Sequence, residues 1–143
     1  MRRRFLHAAL LPLALVFCGE GARANGAFPS VSQIVTDPTN PDRVVLRSTF
    51  GLVVSADRGG SWDWICESAG GYLNIEPPLA VLAGGELILG LPNGISRSSE
   101  DACSFSLAAG IDANVVDVSR VSSDTGRVVA LSISETESQV WDS

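Results

Sequence analysis

The side chains best placed to do chemistry are carboxylates in two short acidic turns. Asp37-Pro38-Thr39-Asn40-Pro41-Asp42 is a dense turn cluster with a carboxylate at each end, and Asp57-Arg58-Gly59 follows an apolar run. Such oxygen-rich loops can hold calcium, but the alternating ligands and distal glutamate of an EF-hand are absent from both. A short Asp side chain more often accepts hydrogen bonds from its own turn. We therefore predict structural turns with no metal and no cofactor, and keep calcium as the alternative.

Catalytic nucleophiles and bases are scarce in this chain. The only histidine is His7, which lies in a segment interpreted below as a signal peptide. Without histidine the mature chain cannot assemble a Ser-His-Asp or Cys-His site, and it lacks the commonest zinc and copper ligand. The single tyrosine, Tyr72, precedes Glu76 by four residues, and we interpret both as ordinary loop residues. We predict that this chain contains no catalytic residue.

A glycine-containing octet surrounds Asp57 and recurs later in the chain. Ser55-Ala56-Asp57-Arg58-Gly59-Gly60-Ser61-Trp62 reads S-x-D-x-G-x-x-W, which suits a tight hairpin because the glycines allow positive φ. A degenerate copy begins 43 residues later at Ser98 and ends at Phe105, with Glu100 in place of Asp and Ala102 in place of Gly. This spacing is typical of one four-stranded blade of a β-propeller.

A second feature has the same period. Arg43-Val44-Val45 and Arg127-Val128-Val129 are 84 residues apart, and Glu86-Leu87-Ile88 lies between them, 43 residues after the first run and 41 before the second. All three runs read as the second strand of a blade because they are apolar, largely β-branched and bounded by turn residues. The octets and the second strands therefore support the same repeat independently.

The octet resembles the Asp-box, or bacterial neuraminidase repeat, of sialidase-like and sortilin-like β-propellers. In that family the box forms the turn between the third and fourth strands of a blade, away from the central ligand-binding face. The resemblance covers roughly residue 30 to the end. It makes eight residues structural: Ser55, Asp57, Gly59 and Trp62 in the full box, and Ser98, Glu100, Ala102 and Phe105 in the degenerate one.

We predict an all-β fold, a β-propeller fragment of about two and a half four-stranded antiparallel blades with a period of about 42 residues. The units are expected near residues 30–70, 75–110 and 115–143 of a domain spanning 25–143. Val140-Trp141-Asp142-Ser143 is in phase with the run that precedes the first box, so Ser143 would begin a third box. We therefore expect an N-terminal fragment of a longer protein; the alternative is a natural end at a fraying edge strand.

Residues 1–24 have the features of a secretory signal peptide. Three arginines follow Met1, an apolar run covers residues 6–17, and Ala22-Arg23-Ala24 matches a cleavage site. The apolar run is too short to span a bilayer. We predict an exported protein, periplasmic or extracellular, with no membrane span after cleavage. The alternatives are a lipid anchor at Cys18, which a preceding Phe17 disfavours, and an uncleaved anchor.

The charge of the mature chain narrows the choice of partners. Six of the ten basic residues and fifteen of the sixteen acidic ones remain after cleavage, so the net charge is −9, and lysine is absent. An acidic surface without a basic cluster argues against nucleic acid and anionic membranes as partners. The ligand is expected to be an unknown protein or a carbohydrate.

Two cysteines remain after cleavage, Cys66 just beyond the first box and Cys103 within the second. Both belong to the outer part of neighbouring blades, and disulfides persist in exported proteins. We predict a Cys66–Cys103 bridge; the alternative is two buried thiols.

The tryptophans of the first box strand share a face, because Trp62 and Trp64 have the same parity. We expect Trp62 in the core and Trp64 in packing between blades, and keep a sugar-stacking platform as the alternative.

These observations favour a non-catalytic exported scaffold for binding or assembly. The alternative is a fragment of a sialidase-like or related glycoside hydrolase whose catalytic residues lie in missing blades. A sialidase would need an arginine cluster and a Tyr–Glu pair, and the predicted blades do not supply this set.

Overall fold

The fold is entirely β within residues 28–99 and 102–142, the part of the chain that the computed structural model describes. These residues form eleven strands and no helix, so the all-β prediction is confirmed. The strands are β1 Val31–Thr36, β2 Val44–Ser48, β3 Gly51–Ser55, β4 Asp63–Ile65, β5 Leu79–Val81, β6 Leu87–Leu91, β7 Gly94–Ser98, β8 Phe105–Leu107, β9 Asn114–Arg120, β10 Val128–Ile133 and β11 Ser138–Asp142.

The strands form three antiparallel sheets, each a simple meander in chain order. β1–β4 form blade 1, β5–β8 form blade 2, and β9–β11 form blade 3. The strands are rich in apolar residues, and clusters of turn residues separate them. Each hairpin therefore pairs strands that are adjacent in sequence. The fourth strands β4 and β8 have only three residues each, fewer than the runs Trp62–Glu67 and Phe105–Ala108 that the apolar pattern predicts.

Equivalent glycines open the third strand of blades 1 and 2. Gly51 has φ +126° and Gly94 has φ +132°, and they are 43 residues apart. A Cβ atom on Gly51 would lie 2.3 Å from the carbonyl oxygen of Ile65, and one on Gly94 would lie 2.5 Å from that of Ile111. Glycine is required at both positions because the backbone conformation and the close approach exclude a side chain.

Two apolar clusters join the blades face to face. The first lies between blades 1 and 2 and includes Val45, Leu52, Leu79 and Leu89. The second lies between blades 2 and 3 and includes Ile88, Ile95, Val118 and Ala130. Successive residues of β6 belong to different clusters, Ile88 to the second and Leu89 to the first, because successive side chains of a strand point to opposite faces. Blade 2 is therefore covered on both faces, and blade 1 on one.

Several sequence-based predictions lie outside the described residues. They are the signal peptide at residues 1–24, the lipid-anchor alternative at Cys18, and the positions of Glu100 and Ser143. None of the residues that the structure describes belongs to a helix with the length and apolarity needed to cross a membrane.

Candidate functional site

The β3–β4 turn of blade 1 is held by hydrogen bonds among its own side chains. The Ser55 hydroxyl donates to Oδ1 of Asp57 at 2.8 Å and accepts the backbone N–H of Gly59 at 2.8 Å. Asp57 in turn accepts the Ser61 N–H at 2.8 Å through Oδ1 and the Ser61 hydroxyl at 2.7 Å through Oδ2. Both carboxylate oxygens are therefore engaged within the turn.

These hydrogen bonds stabilise the ionised form of Asp57. The Ser61 N–H, the Ser61 hydroxyl and the Ser55 hydroxyl together lower the pKa of the Asp57 carboxyl to about 2. A carboxylate that stays ionised at neutral pH and has committed its oxygens to the turn is a poor general acid and a poor metal ligand. The chemistry of this turn is therefore structural.

Trp62 covers the turn rather than entering the core, which corrects the sequence-based expectation. A Cβ atom on Gly59, whose φ is +93°, would lie 3.2 Å from the Trp62 ring. Trp62 is 42% exposed and Trp64 is 63% exposed. The cause is the neighbouring blade. Phe105, at the equivalent position of blade 2, packs against the cluster between blades 1 and 2. Trp62 instead faces the side of blade 1 that no described blade covers.

Ser98 and Ala102, two described residues of the degenerate box, make hydrogen bonds of their own. Ala102 has φ +59° where the full box has glycine, and its N–H donates to the Ser99 carbonyl oxygen at 2.9 Å. The Ser98 hydroxyl accepts the Leu87 N–H at 2.9 Å and donates to the Ser99 carbonyl oxygen at 2.7 Å. Ser98 therefore ties neighbouring strands together, whereas Ser55 ties its own turn.

In the other acidic turn, the carboxylate of Asp37 is likewise engaged by its own turn. Oδ1 of the buried Asp37 accepts the Thr39 N–H and the Thr39 hydroxyl at 2.8 Å and the Asn40 N–H at 3.2 Å. Across residues 28–99 and 102–142, no group of three or more His, Cys, Asp or Glu side chains is arranged to hold a metal ion.

Tyr72 and Glu76 occupy different surroundings and do not form a nucleophile pair. Tyr72 is buried in the cluster between blades 1 and 2. Burial and the neighbouring Glu67 raise the pKa of its hydroxyl to about 12. Glu76 instead approaches the Arg47 guanidinium, with 4.0 Å between Nε and Oε2.

No disulfide joins Cys66 to Cys103, so that prediction is wrong for this structure, as is the alternative of two buried thiols. Cys66 is half-buried and its thiol lies 3.3 Å from the Ser68 hydroxyl, which lowers the thiol pKa, while Cys103 is exposed. Cys66 follows β4 and Cys103 precedes β8, which are equivalent strands. The two residues thus lie at opposite ends of equivalent strands in neighbouring blades.

A cavity of about 510 Å³ lies between blades 2 and 3. The sequence-based predictions did not include this cavity. Ile95 and Arg97 of β7 form one wall, and Ala130 and Trp141 of blade 3 form the other. The small residues 108–110 between β8 and β9 leave the space open. That run of two alanines and a glycine is the only sequence signal for it.

Comparison with solved structures decides the fold. A crystal structure of an ancestral GH74 enzyme matches 75% of this chain with a TM-score of 0.58 and 20% sequence identity. The chain has a β-propeller fold. It spans 14% of the length of that enzyme, and at this identity the likeness concerns the fold alone. No protein-family model matches the sequence, and no curated protein matches it.

Proposed function

We propose that this chain is a non-catalytic, exported β-propeller scaffold that binds or assembles with a protein or carbohydrate ligand, and that its box turns are Asp-boxes. The observation that carries the proposal is an apolar row across the uncovered face of blade 1. Ile34, Leu46, Val53 and Trp64 are directly paired across β1, β2, β3 and β4. Ile34 is 67% exposed, at the same level as Trp64.

Blade 2 indicates what such a row is used for. Leu79 and Leu89 take the positions in blade 2 that Ile34 and Leu46 take in blade 1, and they are 1% and 0% exposed because blade 1 covers them. An exposed apolar row on one blade therefore has the character of a contact surface rather than of a solvated face. We assign the binding or assembly role to this row, which we call the blade 1 outer face.

The carboxylates support a non-catalytic role. Asp37 and Asp57 are engaged by their own turns. Three others pair with arginines: Asp42 with Arg58, Glu86 with Arg97, and Asp142 with Arg127. None of these five is a carboxyl group left available to act as a general acid or base in a cleft.

A hydrolysis assay tests the non-catalytic part. Purified chain is incubated with aryl glycosides and soluble polysaccharides, and reducing-sugar release is measured against heat-treated chain. We expect no release above that control. Turnover that an Asp→Asn or Glu→Gln variant abolishes would overturn the proposal and support the second candidate, a piece of a propeller glycoside hydrolase. The likeness to the GH74 enzyme is the observation that favours this second candidate.

Affinity electrophoresis through the same polysaccharides tests the carbohydrate ligand. If the ligand is a carbohydrate, Trp64→Ala weakens retardation of the chain in the gel. Val140→Ala removes another exposed apolar side chain, from β11 of blade 3, and is the control. Equal retardation of all three proteins, or none, would reject a carbohydrate ligand on this face and leave a protein as the partner.

Export rests on residues 1–24 and has its own test. Expression from the natural start in a bacterial host, followed by N-terminal sequencing of the released protein, is expected to find Asn25 first. Incorporation of labelled fatty acid that Cys18→Ala removes would establish the lipid anchor instead. Retention of residues 1–24 on membranes without lipid would establish the uncleaved anchor.

A further inference from the structure

A second cavity, of about 270 Å³, lies along the first strands of the three blades. These strands contact one another, β1 with β5 and β5 with β9. Their last residues, Thr36, Val81 and Arg120, all line the cavity. In a closed propeller the first strands border the central channel, so these walls are the same whether or not further blades follow.

The cavity lies at the end of the first strands that is nearest to the box turn. The β1–β2 turn starts directly after Thr36, and the Arg58 N–H of the box turn donates to the Asp42 carbonyl oxygen of the β1–β2 turn at 2.9 Å. In the family that the octet resembles, the box lies away from the central ligand-binding face. The cavity is therefore a different place from the ligand site that the resemblance implies.

One wall of this cavity is the free edge of β5. The Leu82 N–H donates to the Glu86 carbonyl oxygen at 2.9 Å, so these two residues form a hydrogen-bonded pair that continues the β5–β6 ladder. Because such pairs alternate along an antiparallel ladder, Leu79 and Val81 turn their N–H and C=O groups away from β6 and towards the cavity. The Leu79 carbonyl oxygen accepts the Gln33 side-chain amide at 2.9 Å. Val81 is buried, and a buried backbone N–H directed into a cavity needs an acceptor there.

Arg120 brings a positive charge to the cavity. It shares a face of β9 with Val118, which packs between blades 2 and 3, so its side chain lies on the blade 2 side of β9. Four ion pairs join described residues, and their arginines are Arg47, Arg58, Arg97 and Arg127. The Arg120 guanidinium belongs to none of these four pairs. In a chain of net negative charge, it therefore places an unneutralised cation beside the backbone donors of β5.

We propose that this cavity binds a small carboxylate anion. One carboxylate group of the ligand accepts two parallel hydrogen bonds from the Arg120 guanidinium and a third from the Val81 N–H. The Gln33 amide, fixed on Leu79, keeps a second N–H for a polar group at the other end of the ligand. At about 30 Å³ for each water-sized group, the cavity holds about nine such groups, which suits a short dicarboxylate. The site does not depend on the proposed function, since a scaffold and a hydrolase fragment would both contain it.

Titration of the ¹⁵N-labelled chain with succinate, followed by NMR, tests the site. Succinamide, the neutral diamide of the same size, is the matched control ligand. We expect succinate to shift the Val81 amide and Arg120 Nε–H signals saturably and succinamide to leave them in place, because only the carboxylate meets the positive charge. Equal effects of the two compounds, or no saturation up to about 10 mM succinate, would overturn the proposal. Tighter binding of sulfate or phosphate at the same signals would reject a carboxylate as the ligand.

Variants of the chain locate the site. Arg120→Gln is expected to weaken succinate binding about ten-fold or more, and Arg120→Lys, which keeps the charge but loses the planar fork, to weaken it less. Arg58→Gln removes a cation from the box turn, controls for the change in net charge, and is expected to leave binding unchanged. Wild-type affinity of Arg120→Gln, or an equal loss in Arg58→Gln, would overturn the proposal. Circular dichroism verifies that the variants fold, and the wild-type comparison of succinate with succinamide stands even if they do not.

Discussion

Leu46 and Leu89 are equivalent residues in different surroundings, and the same substitution at both measures what a neighbouring blade contributes. Leu89 of β6 is fully buried between blades 1 and 2, whereas Leu46 of β2 lies on the blade 1 outer face and is half-buried. Leu→Ala removes three carbon atoms, worth about 2.5 kcal/mol of transfer free energy when they are fully buried. At Leu89 the closed cavity left behind raises the expected loss to about 3–4 kcal/mol.

At Leu46 the loss is expected to be about 2 kcal/mol. Less of the side chain is buried than at Leu89, and solvent fills the space that Leu46→Ala leaves, so the cavity contribution is absent. The predicted difference in the free energy of unfolding is therefore about 1–2 kcal/mol. Urea denaturation of the two variants and the wild type, followed by tryptophan fluorescence, measures this difference.

Equal losses at Leu46 and Leu89 would refute the reasoning that a neighbouring blade accounts for the difference in burial. If both losses are large, the blade 1 outer face is covered in solution. Repeating the Leu46→Ala measurement at ten-fold dilution then separates the two causes, because stability that comes from association falls with protein concentration, whereas intramolecular packing does not.

Three further predictions test individual residues. The pKa of Asp57 is held at about 2, below its ordinary 3.8. The stability that its carboxylate contributes is therefore present above pH 4 and is lost as the pH falls towards 2. Carboxyl ¹³C NMR of the chain, with Asp57→Asn to assign the signal, measures this pKa. Tyr72, the only tyrosine, is expected to ionise near pH 12 in the folded chain and near pH 10 in urea, as measured by absorbance at 295 nm. The stability that its neutral hydroxyl contributes is therefore fully present below pH 10 and is lost as the pH rises through 12. An ionisation midpoint near pH 10 in the folded chain would contradict its burial. Gly51→Ala is expected to cost about 2–4 kcal/mol, because its Cβ would meet the Ile65 carbonyl oxygen, whereas Gly110→Ala, with no atom within 4 Å of the new Cβ, is expected to cost about 1 kcal/mol in thermal unfolding.

The sequence could predict the strands because their signals are local. The apolar runs Val31–Thr36 and Leu52–Ser55 predict two strands, and the structure has β1 with the same ends and β3 with Gly51 added. Turn residues such as Gly84-Gly85 and Ser123-Asp124-Thr125-Gly126 separate the runs, since each acts on its own backbone. The period of about 42 residues likewise follows from comparing the chain with itself.

The sequence alone determined the repeat, the all-β class and the self-contained turn at Asp57, because each depends on neighbours within a few residues or on equivalent positions along the chain. The tertiary structure alone decided which faces are covered. Trp62 is exposed although Phe105 packs into a core, and Cys66 and Cys103 lie at opposite ends of their blades. Burial and proximity depend on which sheet stands opposite, and a pattern of apolar residues within one strand carries no information about that neighbour.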